Sequence, residues 1–216
     1  MDSYYSISEI STGLYVEKAS KFYSFLYPTQ TVVDWKNSLE NLQKQHHKAR
    51  HICYAYRILQ EDLITKANDD GEPGGTAGKP ILNQLEKFEI INCSCFVVRY
   101  FGGTLLGAAG LTRAYKAAAE IAIQSADLKL SFQYESLTIF CPPNLIHNIL
   151  NIAKLDRNIR IIHIDQNLNS SLNLEIPKNQ SLKFVNLLRQ KFDPSKPEIF
   201  NKNQIDIYNL QLVWPE

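Results

Sequence analysis

Two glycine-rich runs constrain this chain more than anything else in it. The first is Asp69-Asp70-Gly71-Glu72-Pro73-Gly74-Gly75-Thr76-Ala77-Gly78-Lys79-Pro80. The second runs from Arg99-Tyr100-Phe101-Gly102-Gly103 through Leu106-Gly107 to Gly110-Leu111. Eight of the nine glycines lie in these runs, the other being Gly13. Glycine loses much conformational freedom on folding, so clustering marks tight turns or backbone that must approach something closely. Each run leads into a helix-like pattern, and such a loop offers free backbone N–H groups to an anion. Neither run fits G-x-x-x-x-G-K-[ST], because Pro80 follows Gly78-Lys79, and neither fits G-x-G-x-x-G. Two roles stay open at this point: close-packed turns between strand and helix, and a surface that faces a ligand.

The pattern around the runs is mixed α and β. Lys21 to Tyr27 reads as an aromatic strand ended by Pro28. Asp34 to His46 carries Trp35, Leu39 and Leu42 at i, i+4 and i+7, an amphipathic helix. Ile52 to Leu59 alternates, with Ile52, Tyr54, Tyr56 and Ile58 on one side and Cys53, Ala55 and Arg57 on the other. Pro80 suits the start of a helix, and Ile90 to Val98 is a nearly continuous apolar strand. A helix with closely spaced alanines then reaches about Ala126. Glycine is absent from residue 111 onward. There the order is strand Tyr134–Phe140, helix Pro143–Leu155, strands Ile159–Asp165 and Leu168–Ile176, helix Ser181–Lys191 and strand Gln204–Val213. This βαββαβ order is ferredoxin-like. The expected fold class is α+β in two domains, residues 1–130 and 131–216, with the boundary near Leu130 to Gln133.

With 216 residues, 44% of them apolar and 21% charged, the chain has material for a real core. A net charge of +1 argues against a polyanion binder driven by bulk charge, while a local basic patch stays open. The N-terminus lacks a basic segment followed by an apolar run, and no stretch approaches the ~18 apolar residues of a membrane span. Cys53, Cys93, Cys95 and Cys141 include no C-x-x-C pair and read as reduced, mostly buried thiols of a cytoplasmic protein.

Three blocks in order resemble the YigZ/IMPACT family, in its bacterial two-domain form. They are His51-Ile52-Cys53-Tyr54-Ala55-Tyr56-Arg57, then Asp69-Asp70-Gly71-Glu72-Pro73 with Gly75-Thr76-Ala77-Gly78, then Arg99-Tyr100-Phe101-Gly102-Gly103 with Leu106-Gly107 and Gly110-Leu111. They cover the first ~130 residues; in the remainder only element order and length match. The resemblance implies an N-terminal α+β domain like the second domain of a small-subunit ribosomal protein. It implies a C-terminal domain like the last domain of elongation factor G. It also implies a translation-associated regulator that binds RNA, the ribosome or a translation factor. It brings no established catalytic residue and no cofactor. Leu105 stands where the family has lysine, Ala109 where it has glycine and Gly74 where it has serine. Loss of that lysine weakens phosphate binding by the second loop.

As chemistry, Asp69, Asp70 and Glu72 place three carboxylates within four residues. They suit Mg²⁺ or a general acid/base pair, hence a metal-assisted or small-molecule hydrolase as the rival function. Aspartates before glycine also cap local N–H groups in turns. Arg57, Lys79, Arg99, Arg113 and Lys116, near the loop backbone of Gly102 and Gly103, are candidates for a small cationic site. Tyr100, Phe101 and Tyr115 add faces for stacking a base. The alternative for these cations is pairing with the three carboxylates across the loops. A protein–protein regulator without a ligand is the third function. Oligomeric state is not legible.

Overall fold

A computed structural model describes residues 2–167, 170–200, 202, 205, 207 and 209–214. The chain divides into two compact units: Tyr4–Ser131, and a second that contains residues 2–3 with Phe132 onward.

The first unit opens with β1 (Ser3–Ile7), β2 (Ser11–Glu17) and β3 (Ser20–Pro28). Then come α1 (Val32–Gln45), β4 (His51–Leu59), β5 (Leu63–Asn68), α2 (Gly78–Lys87), β6 (Cys93–Tyr100), α3 (Gly107–Gln124) and β7 (Leu128–Phe132). Five strands form an antiparallel sheet in the order β2-β3-β6-β4-β5, and β1 pairs with β7 apart from it. The alternation in β4 divides the two faces as its sequence suggests. Cys53 and Ala55 join Phe22, Leu26, Cys95 and Val97 beneath α2 and α3. Ile52, Tyr54, Tyr56 and Ile58 pack with Leu42 on the other face, where α1 lies. α1 starts at Thr31, whose side chain accepts from Asp34 N while the Asp34 carboxylate accepts from Thr31 N, a reciprocal cap.

Boundaries shift by a few residues from the sequence reading. α2 begins at Gly78, so Pro80 sits inside its first turn, where a missing N–H costs nothing. The apolar strand begins at Cys93, since Ile90 makes only an isolated bridge to Tyr5. Strands β1, β2, β5 and β7 were not anticipated. At Leu130 to Gln133 the backbone is hydrogen-bonded: β7 runs through Phe132, and Gln133 N donates to Asp2 O.

The second unit runs β8 (Tyr134–Phe140), α4 (Ile146–Ala153) after a 3-10 turn at Pro143–Leu145, β9 (Arg160–Asp165) and β10 (Ser171–Pro177). A 3-10 turn at Lys178–Gln180, α5 (Ser181–Phe192) and β11 (Gln211–Val213) complete it. Its antiparallel sheet has the order β11-β8-β10-β9, and Leu137, Ile139, Leu172, Leu174 and Ile176 meet α4 and α5 on one face. The expected strands from Leu168 and from Gln204 begin outside the described residues; within them the strands are β10 and β11. No helix among the described residues is long and apolar enough to cross a membrane.

Candidate functional site

The site is built where β4 begins and β6 ends. Antiparallel register sets His51 opposite Arg99, and β5 brings the chain back to the same edge, with Asn68 opposite Tyr54. The first glycine loop leaves β5 there, and the second leaves β6 there. The two loops therefore adjoin, and a buried polar network ties them. Arg99 Nη1 donates to Glu72 Oε1 at 2.6 Å, and Tyr115 Oη of α3 donates to the same oxygen at 2.8 Å. The side chains of Arg99 and Glu72 are only 9% and 3% exposed. Burial, then the neighbouring Cys53 and Glu72, pushes the Tyr115 hydroxyl well above its ordinary pKa, which keeps it a donor.

The other two carboxylates also serve the loops. Asp69 accepts from Gly75 N, Ala77 N and Gly78 N at 2.8–2.9 Å, closing the loop and capping α2. Burial opposes its ionisation, but these three donors prevail and hold its carboxyl below the usual range. Asp70 accepts from Ile52 N at 2.7 Å. With all three carboxylates turned to internal donors, the loop offers no support for a metal or an acid/base pair. No group of three or more potential metal ligands gathers among the described residues.

Close approach explains two of the glycines. A Cβ on Gly78 would lie 2.5 Å from Asn68 N, and one on Gly102 would lie 2.1 Å from the Ala19 carbonyl carbon. The second loop is thus pressed on the β2–β3 turn, and Gly102 N also donates to Ser20 Oγ.

A cavity of about 220 Å³ opens beside this junction, lined by Arg50, His51, Arg99, Phe101 and Leu105. His51 Nδ1 lies 2.5 Å from Asp70 O, so that nitrogen donates. The Arg99 guanidinium lies between the rings of Phe22 and Phe101, at 5.6 and 5.7 Å, and its Nε has no partner among the described residues. Phe101 is half exposed and also borders an open groove of about 570 Å³ with Lys21, Tyr23, His46 and Tyr100. In that groove Tyr23 meets Tyr100 edge-on at 5.8 Å, and His46 Nδ1 is 3.0 Å from Tyr100 Oη. Burial lowers the His46 pKa, favouring the neutral ring.

The sequence candidates divide. Arg99, Tyr100, Phe101, Gly102 and Gly103 come together at this edge. Arg57 does not join them: it pairs with Cys93 at the far end of β4, and its Nη1 donates to Leu85 O and Ile90 O. Arg113 engages Glu17 at 2.7 Å, and Lys79 and Lys116 are exposed but line neither cavity nor groove. Tyr115 is fully buried and offers no face for stacking. Pairing across the loops holds for Arg99 with Glu72, not for Asp69 or Asp70. Arg50, Lys21, Tyr23 and His46 are lining residues that spacing alone does not reveal, since they lie on three separate segments.

The Impact N-terminal domain profile matches residues 18–123, which span the sheet, both loops and α3. The chain is 43% identical to the IMPACT family member YvyE of Bacillus subtilis over 115 residues, 53% of each chain. It is 42% identical over 100 residues to the IMPACT family member YigZ of Escherichia coli, 45% of this chain and 49% of that one. The matches thus span about half the length of these curated relatives. A crystal structure titled as a hypothetical protein aligns over 100% of this chain and 98% of its own, with a TM-score of 0.62 and 27% identity. With three sequence blocks, a domain profile and bacterial relatives all falling on the unit that builds the cleft, residues 18–123 match the Impact N-terminal domain and the chain is similar to bacterial IMPACT family members over that unit.

Proposed function

We propose that this protein is a cytoplasmic, translation-associated regulator that binds a single-stranded RNA segment in the N-terminal cleft. One observation carries this: the exposed Phe101 ring stands between a cavity bearing Arg50, His51 and Arg99 and a groove of Tyr23, Tyr100, His46 and Lys21. Cationic pockets that take phosphate beside aromatic faces that take bases are how proteins hold unpaired RNA. The cations are local, which fits a net charge of +1. Arg50 and Lys21 have no ion-pair partner among the described residues, so both are free to meet phosphate. Four buried, unpaired cysteines fit a reducing compartment. The resemblance to the IMPACT family supports the link to translation.

Fluorescence anisotropy with a labelled single-stranded oligoribonucleotide, across a salt series, tests this. Phe101→Ala is expected to weaken binding about tenfold or more, since one stacked base contributes ~1–3 kcal/mol. Arg50→Ala and Lys21→Ala should each flatten the salt slope by about one. Leu105→Lys, which restores the family's cation at the cavity wall, should tighten binding. Unchanged affinity and slope in all four variants would move the function to a protein partner.

A further inference from the structure

A second cavity lies wholly within the C-terminal unit, between the end of α4, the turn that follows it and the start of α5. Its volume is about 290 Å³, near the lower end of the ~300–1,000 Å³ typical of small-molecule sites. The floor is apolar: Ile152, Ile159, Phe184 and Leu187. The rim is not. Arg157 and Lys183 stand there, exposed and without an ionic partner among the described residues. Asp156 is on the same rim, with Oδ1 accepting from Asn158 N. Gln180 also lines the cavity, and its amide oxygen has no hydrogen-bond partner among the described residues.

We propose that this cavity binds a hydrophobic α-amino acid. Two unpaired cations call for a carboxylate. The Asp156 carboxylate calls for a donor with positive charge, which an ammonium supplies. The floor calls for an aliphatic or aromatic side chain, and the volume limits it to one. A phosphate ion would leave the floor in contact with water, and a long acyl chain exceeds the space. A zwitterion with an apolar side chain meets every demand at once. The site shares no residue with the N-terminal cleft and stands independently of RNA binding.

Isothermal titration calorimetry on the full-length protein tests this with L-leucine and L-phenylalanine. Leucinamide lacks the carboxylate, 4-methylpentanoate lacks the ammonium, and glycine lacks the side chain. Saturable binding of leucine or phenylalanine is expected, with each truncated probe at least about tenfold weaker. Arg157→Ala and Lys183→Ala should each weaken binding by a similar factor. Both residues are exposed, so these variants should keep the wild-type circular dichroism spectrum. Three results overturn the proposal: no saturable heat with either amino acid, equal binding of leucinamide, or binding that survives the double Arg157→Ala/Lys183→Ala substitution.

Discussion

Replacing Arg99 by Met should destabilise the N-terminal unit far more than replacing both partners of its ion pair. The methionine keeps the packing between Phe22 and Phe101 but removes the guanidinium that lies 2.6 Å from Glu72. Glu72 then keeps only the Tyr115 hydroxyl, in a site where its side chain is 3% exposed. Removing one partner of a buried pair costs about 3–5 kcal/mol, because the other charge is left without compensation. At about 3–5 °C per kcal/mol for a unit of this size, the thermal transition should fall by roughly 10–20 °C. Arg99→Met/Glu72→Gln leaves a neutral amide that still accepts from Tyr115, so the double variant should be more stable than Arg99→Met alone. Differential scanning calorimetry on wild type, both single variants and the double variant closes the cycle. If the two single effects simply add, the pair is not coupled and does not hold the loops together.

Three further outcomes follow from the same geometry. Asp69 has a depressed folded-state pKa, so its contribution is present above the unfolded value of about 3.9 and lost as pH falls through the lower folded value. Urea titrations below pH 4 should show that loss in wild type and not in Asp69→Asn. Among the glycines, Gly102→Ala should cost at least about 3 kcal/mol by overlap, and Gly103→Ala about 1 kcal/mol or more for its φ of +86°. Gly74→Ala should be neutral within about 0.5 kcal/mol, having no neighbour within 4 Å; chemical denaturation ranks the three, and a neutral Gly102→Ala refutes the contact. Burial raises the thiol pKa of Cys53, Cys93 and Cys95, the last to about 12, so a disulfide reagent should label them only on unfolding; rapid labelling of the native protein contradicts this burial.

Features set by adjacent residues were legible in the sequence. The period-two pattern of Ile52 to Ile58 sorts its side chains onto the correct faces, and Trp35, Leu39 and Leu42 mark the buried stripe of α1. The aspartate pair ahead of Gly71 announced the loop closure that Asp69 performs. Features set by register were not. Arg57 and Arg99 both looked like cations near a glycine loop, yet antiparallel pairing puts them at opposite ends of the sheet. β1 and β7 pair across more than a hundred residues, with no local signal in either. The cleft draws Lys21, His46, Arg50 and Phe101 from distant segments, and no spacing rule links them.

The seat of Gly102 on the β2–β3 turn has a mechanical consequence. Lys18 and Ala19 hold that turn with positive φ angles of 46° and 62°, and Ala19 also borders the aromatic groove. Main chain rests directly on main chain there, with no long side chain between to act as a compliant spacer. The projection of Phe101 is therefore gauged by the length of the hairpin. One residue inserted at the turn would re-aim the ring without substituting any residue that lines the Arg50 cavity.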